Sequence, residues 1–106
     1  MSAPDGESLA NIDRLIHEPA RLVVLANLAV VDRADATFLL RQTGLTWGNL
    51  SSHLTRLEDA GYVEVEKTFV DRRPKTLLSL TPAGREAFEA YRRHMQQVLK
   101  GPSGSR

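Results

Sequence analysis

Apolar residues recur at helical spacing through the first half of this chain, alternate with polar ones over 63–69, and then return to helical spacing. Leu9, Ile12, Leu15 and Ile16 share one face of a first helix that Ser8 can cap. His17-Glu18-Pro19 interrupts it, and Pro19 suits the first turn of a second helix over about 19–30. That helix contains RLVVLANLAV, apolar on nearly every side, so it belongs at the centre of the core. Residues 32–35 read as a polar connector. Thr37 can cap a short helix over 38–43 that ends at Gly44.

A tight turn follows. Gly44 supplies backbone freedom, Leu45 can plug the angle between two helices, and Thr46 caps the next helix, about 47–60, which stops before Gly61. At about 100° per residue, Leu50, Leu54 and Leu57 form one narrow stripe that must face the core. The opposite side presents Gly48, Ser52, Thr55 and Arg56, flanked by Asn49 and Ser51. A solvent-facing helix more often carries Lys and Glu there. Small hydroxyl and amide side chains instead let a helix sit deep in a groove of DNA and bond base edges and phosphates.

Beyond Gly61 the period changes to two. Val63, Val65 and Phe69 alternate with Glu64, Glu66 and Thr68, which predicts a strand; 70–74 reads as a turn and 75–80 as the returning strand. Asp71 can pair with Arg73 or bond turn amides, and Pro74 stiffens the tip. Thr81-Pro82 then starts a long helix reaching about Leu99. Helix, turn, helix and hairpin in this order predict an α+β, mainly α fold: a winged helix-turn-helix with a two-stranded β-wing and a long C-terminal helix. The second helix of the motif would enter the major groove, and the wing would reach a neighbouring groove or the backbone.

The C-terminal helix carries Phe88, Tyr91, Met95 and Val98 at spacings of 3, 4 and 3, a short seam of the kind that packs against another helix. This domain's own first helix could cover it. A second chain is the favoured cover, because Leu9, Ile12 and Ile16 also need burial and the two terminal helices can build one joint interface. Residues 1–7 are expected to be disordered, 8–99 to form the DNA-binding domain with its terminal dimerisation helices, and 100–106 to be a flexible tail.

Charge sharpens the picture through its distribution. The net charge is only +1, yet Lys67, Arg72, Arg73 and Lys75 cluster against Asp71 alone. A basic tip on a near-neutral body suits a DNA reader that draws affinity from a few phosphate contacts. Arg72, Arg73 and Lys75 are therefore assigned to phosphates or a narrow minor groove. Trp47 is expected to pack at the helix boundary with its edge available to DNA.

Other chemistries find little support. With 106 residues there is room for one domain, and with no cysteine there is no disulfide or thiolate metal site. His17, His53 and His94 fall on three separate predicted elements, so no metal and no cofactor are expected. His53 reads as a hydrogen-bonded residue at the core boundary. There is no Gly-rich phosphate loop and no catalytic arrangement of Ser, His and acid, so the chain is not read as an enzyme. No apolar run is long enough for a membrane span and no secretory signal is evident, which points to the cytoplasm.

The segment TGLTWGNLSSHLTRLEDAGYVEVEK resembles the recognition segment of small MarR-like winged-helix transcriptional regulators, and within them a compact stand-alone DNA-binding subgroup. The run DRRPKTLLSLTPAGREAF resembles that family's wing and the Leu-Thr-x-x-Gly start of its next helix, here Leu80, Thr81 and Gly84. The resemblance covers roughly residues 12–99. It implies a sequence-specific regulator of double-stranded DNA; the terminal-helix dimer adds a pseudo-palindromic operator, and with no activation surface evident a homodimeric repressor is expected. The chain is shorter than the long MarR-like proteins, whose extra terminal helix forms the dimer and often a ligand pocket. No aromatic-acid or drug pocket is expected. The alternative is a winged-helix module that binds protein, which would expose an apolar patch in place of the polar helix face.

Overall fold

The computed structural model describes residues 12–101. The elements run α1 (Pro19–Val30), β1 (Ala34–Asp35), α2 (Ala36–Thr43), α3 (Trp47–Asp59), β2 (Val63–Val70), β3 (Arg73–Leu80) and α4 (Pro82–Lys100). The strands form one antiparallel sheet in the order β1-β3-β2. This is the expected α+β, mainly helical, winged-helix architecture with its long C-terminal helix.

The helix ends show why the boundaries fall where they do. The Glu18 carboxylate caps α1 by accepting from the Arg21 amide at 2.8 Å, and Pro19 opens the helix, where its missing N–H is no loss. Gly44 ends α2 in the left-handed region, φ 71°, with its amide bonded to the Leu40 carbonyl. Thr46 caps α3 through the Asn49 amide. At the other end of α3, Gly61 at φ 79° lets its own amide reach the Glu58 carbonyl and the Tyr62 amide reach Leu57, a Schellman closure.

Leu50, Leu54 and Leu57 are all buried, and they meet Val24, Leu25 and Leu28 of α1, Leu39 of α2 and Leu78 of β3 in one core. Leu45 packs partly against the same cluster from the turn between α2 and α3.

Four expectations are corrected. The first helix is absent from the described part of its range: residues 12–18 form a turn, in which the Asp13 carboxylate accepts from the amides of Leu15 and Ile16. Asp13 bonding its neighbours' amides offers the backbone an alternative to a helical ladder. Ser8 and Leu9 lie outside the described residues, as do 1–7 and 102–106 of the expected termini. The polar connector contains β1, where Ala34 and Asp35 pair with Leu78 and Leu77. The cap of α2 is Asp35, whose carboxylate accepts from the Thr37 amide at 2.9 Å, so α2 starts ahead of Thr37. Finally, the wing turn has two residues. Val70 pairs with Arg73, and Asp71 and Arg72 sit at φ 52° and 68° as a primed hairpin turn requires.

The turn at 12–18 is fastened on three sides. Tyr62 Oη donates to Asp13 at 3.3 Å, and His17 Nδ1 lies 2.7 Å from Tyr91 Oη on α4. Burial, reinforced by the Asp13 charge, pushes the phenols of both Tyr62 and Tyr91 above their usual range. Arg21 donates to the Leu15 carbonyl and, at 2.9 Å, to His53 Nδ1. A guanidinium can only donate, so His53 Nδ1 is the acceptor in this contact. Glu18, at 3.9 Å from the same nitrogen, is the weaker neighbour. His53 is thus the boundary residue that its position beside the leucine stripe implied.

Candidate nucleic-acid interface

Burying Leu50, Leu54 and Leu57 leaves the other side of α3 in solvent. Gly48, Asn49, Ser52, Thr55 and Arg56 are exposed, and Ser51 is half-buried at the margin. Trp47, the first residue of the helix, is 50% exposed. It sits at a boundary, with much of its ring accessible. The helix therefore presents an uncharged polar surface over its first two turns, followed by Arg56.

The wing projects beside this face. Its acidic residues, Glu64 and Glu66, lie near the base of β2, and its cations lie toward the tip. Arg72 and Arg73 are exposed and form no ion pair among the described residues. Of the two roles open to Asp71, pairing with Arg73 is not found among the described residues; Asp71 contributes through its left-handed backbone. Lys75 differs from its neighbours. Its ammonium is 3.4 Å from Asp35 Oδ2, and it is half-buried. The Thr37 amide bond holds the Asp35 carboxyl below its ordinary range; partial burial opposes this, and Lys75 adds to it. Between α2, the start of α3 and the wing lies an open groove of about 810 Å³, lined by Thr37, Leu40, Trp47, Val70, Arg73 and Lys75 among others.

Part of the expected dimer seam is covered within the chain itself. Phe88 and Tyr91 are 7% and 8% exposed, and Ile12 and Ile16 are also buried, all within the one chain. Of the large apolar residues of α4, Met95 and Val98 are half-buried and Leu99 is 78% exposed; Met95 packs partly against the core.

Comparison with known proteins gives this geometry a context. Residues 20–99 match the model of the winged helix DNA-binding domain family. The chain belongs to that family. An uncharacterized protein of Methanocaldococcus jannaschii is 33% identical over 87 residues, which are 82% of this chain and 95% of that protein. A transcriptional regulator homologue from Pyrococcus horikoshii superposes with a TM-score of 0.78 at 29% identity, over 84% of this chain and 88% of that one. A MarR-like transcription regulator from Bacillus cereus superposes with a TM-score of 0.68 at 26% identity, over 90% and 70%. The chain is thus a MarR-like winged-helix DNA-binding regulator, and its structural relatives are regulators, not enzymes. Among the described residues no helix is long and apolar enough to cross a membrane, and no cluster of His, Asp or Glu could hold a metal ion.

Two features escaped sequence reasoning. Asp35 falls in the expected connector, although Asp ahead of a helical stretch is itself a favoured N-cap residue. Phe69 shares the alternation of β2 that predicts the strand, but that alternation does not reveal its 71% exposure.

Proposed function

We propose that the protein is a homodimeric, cytoplasmic transcriptional repressor that reads a pseudo-palindromic operator in double-stranded DNA. In this reading α3 lies in the major groove. Asn49, Ser51, Ser52, Thr55 and Arg56 face base edges and phosphates, Gly48 allows close approach, and Trp47 lies against the sugar edge. Arg72 and Arg73 meet phosphates or the minor groove beside it, Lys75 acts from within its pair with Asp35, and the groove between α3 and the wing takes the intervening phosphate strand. Repression follows from occupancy of the operator.

The observation that carries this reading is the polar, largely uncharged face of α3 set beside unpaired wing arginines. A helix evolved only to face water would lack a reason for both. The experiment is selection of bound sequences from random duplex DNA with the purified protein. The expected product is a motif with two-fold symmetry and half-sites about one helical turn, roughly 34 Å, apart. A pool that shows no enrichment overturns specific DNA reading and favours a protein partner.

A further inference from the structure

Phe69 is a large apolar residue left in water at the far end of the wing. Val63, Val65, Lys67 and Phe69 share one face of β2 by alternation, and Val63 is buried against the core. Cover falls away along that face, from Val63 buried through Val65 half-buried to Lys67 exposed, so the hairpin outruns the core. Phe69 therefore continues the core face of the sheet beyond the core.

Its cross-strand partner is Pro74. In a two-residue hairpin the closing pair, Val70 and Arg73, exchanges both backbone hydrogen bonds; the next pair, Phe69 and Pro74, is the non-bonded kind whose side chains approach most closely. The Pro74 nitrogen, with no hydrogen to donate, points away from β2 to an edge that β1 does not reach. Ring and pyrrolidine thus make a stiff apolar pad. Lys67 precedes the pad on the same face of β2 and Arg72 stands in the turn beyond it, while Arg73, paired with Val70, lies on the opposite face of the hairpin.

We propose that this pad is an apolar wedge for the minor groove of duplex DNA: Phe69, backed by Pro74, seats against one base step and partly unstacks it. The flanking cations hold the phosphates on either side. The proposal rests on the DNA-binding reading above and adds to it a means of specificity. An apolar side chain with a cation before it on its own face and arginines at the tip beyond it matches a polyanion with an apolar interior edge, and wedges of this type kink the duplex toward the major groove. Pyrimidine–purine steps unstack most easily, so the wedge selects sequence through deformability, at a position no polar group reads.

The test selects random duplex DNA in parallel with the parent, F69A and F69L, and measures operator bending by circular permutation. For the parent we expect a TA or CA/TG step beside each half-site and a bent operator. F69A should lose that step preference, bind about tenfold more weakly and bend its operator less, with an unchanged salt slope because no charge is removed. R72Q should instead lower the salt slope by about one unit per lost phosphate contact. F69L, still apolar, should keep most of the bend. Because Phe69 lies outside the core, F69A should retain the parent's circular dichroism and unfolding midpoint. If F69A selects the parent's motif with equal affinity and bend, the wedge is overturned while the DNA reading stands. Weaker binding with an unchanged bend overturns it too, since Phe69 would then only position the wing. A parent that selects no motif overturns the DNA reading and the wedge together.

Discussion

Lys75 and Asp35 lie with Nζ 3.4 Å from Oδ2, and the same carboxylate caps α2 through the Thr37 amide. One acidic side chain therefore fixes the start of a helix and holds the wing strand against it. As an ion pair near the surface it contributes little stability, about 0–1 kcal/mol. Its larger effect is positional, because it sets the wing relative to α3.

This arrangement has a pH signature. The Asp35 carboxyl is held below its ordinary range, chiefly by the Thr37 amide. A depressed carboxyl stabilises the fold fully above its unfolded pKa of about 3.9, and that contribution disappears as pH falls through the lower folded value. D35N keeps a capping oxygen but does not titrate there. Urea midpoints between about pH 6 and about pH 3 should fall more steeply for the parent than for D35N. D35A should lose the cap as well, about 0.5–2 kcal/mol at neutral pH. Parallel pH profiles for parent and D35N would contradict the assignment.

Gly84 supplies a second prediction. A Cβ built there would lie 2.0 Å from the Tyr62 carbonyl oxygen and 2.8 Å from its carbon, and backbone atoms cannot step aside. The same junction is pinned by Thr81, whose hydroxyl donates to the Gly61 carbonyl at 2.6 Å and accepts from the Gly84 amide at 2.9 Å. In an ordinary helix Gly→Ala stabilises by about 0.5–1 kcal/mol. G84A should instead destabilise by about 1–3 kcal/mol through overpacking. Gly48, with nothing within 4 Å of its would-be Cβ, is the control, and G48A should follow the ordinary helix rule. Denaturant unfolding of both variants decides the matter; equal signs would show that α4 can move off Tyr62 freely.

The Thr81–Gly84 junction also shows how much was legible in the sequence. Thr81-Pro82 announced a helix start, and the glycine three residues past the threonine matched a family pattern, but its reason is a close approach of two backbones that only the fold reveals. Likewise the leucine stripe of α3 was readable from period alone, and with it the polar face. The misses lie where local signals compete with long-range ones. Asp13 could serve a helix or a turn, and its bonds to Leu15 and Ile16 favour the turn. Ala34 looked like a connector because a two-residue strand has no period of its own; it exists only through pairing with Leu78. Phe69 obeyed the alternation of β2, but alternation reports which face a residue occupies and not whether anything covers that face.

The recognition helix can be tested without disturbing the core. Ser52 and Arg56 are exposed on α3, opposite its buried leucines. S52A and R56A should each weaken binding to the selected operator by about 1–3 kcal/mol and leave the unfolding free energy within about 0.5 kcal/mol of the parent. The R56A loss should be concentrated at particular bases if Arg56 reads an edge, and spread over all sequences if it meets a phosphate. Parent-like binding by both variants would remove α3 from the interface.

Dimerisation is the last prediction, and it centres on the end of α4. Phe88 and Tyr91 are covered inside the chain, where Tyr91 meets His17 and joins the core cluster with Ile12 and Ile16. Substitutions there should unfold the domain and report nothing about assembly. Toward the end of α4, Val98 is half-buried and Leu99 is 78% exposed. Two copies meeting through this end of α4 would cover both residues and relate the two recognition helices by a two-fold axis. V98E/L99E should therefore keep the parent's secondary structure and unfolding midpoint while sedimenting as a monomer. Its binding to a full operator should fall to near that of a single half-site. Sedimentation equilibrium at micromolar concentration is the deciding measurement. A parent that remains monomeric there, with V98E/L99E binding the operator equally well, would rule out this interface and leave each domain to read DNA alone.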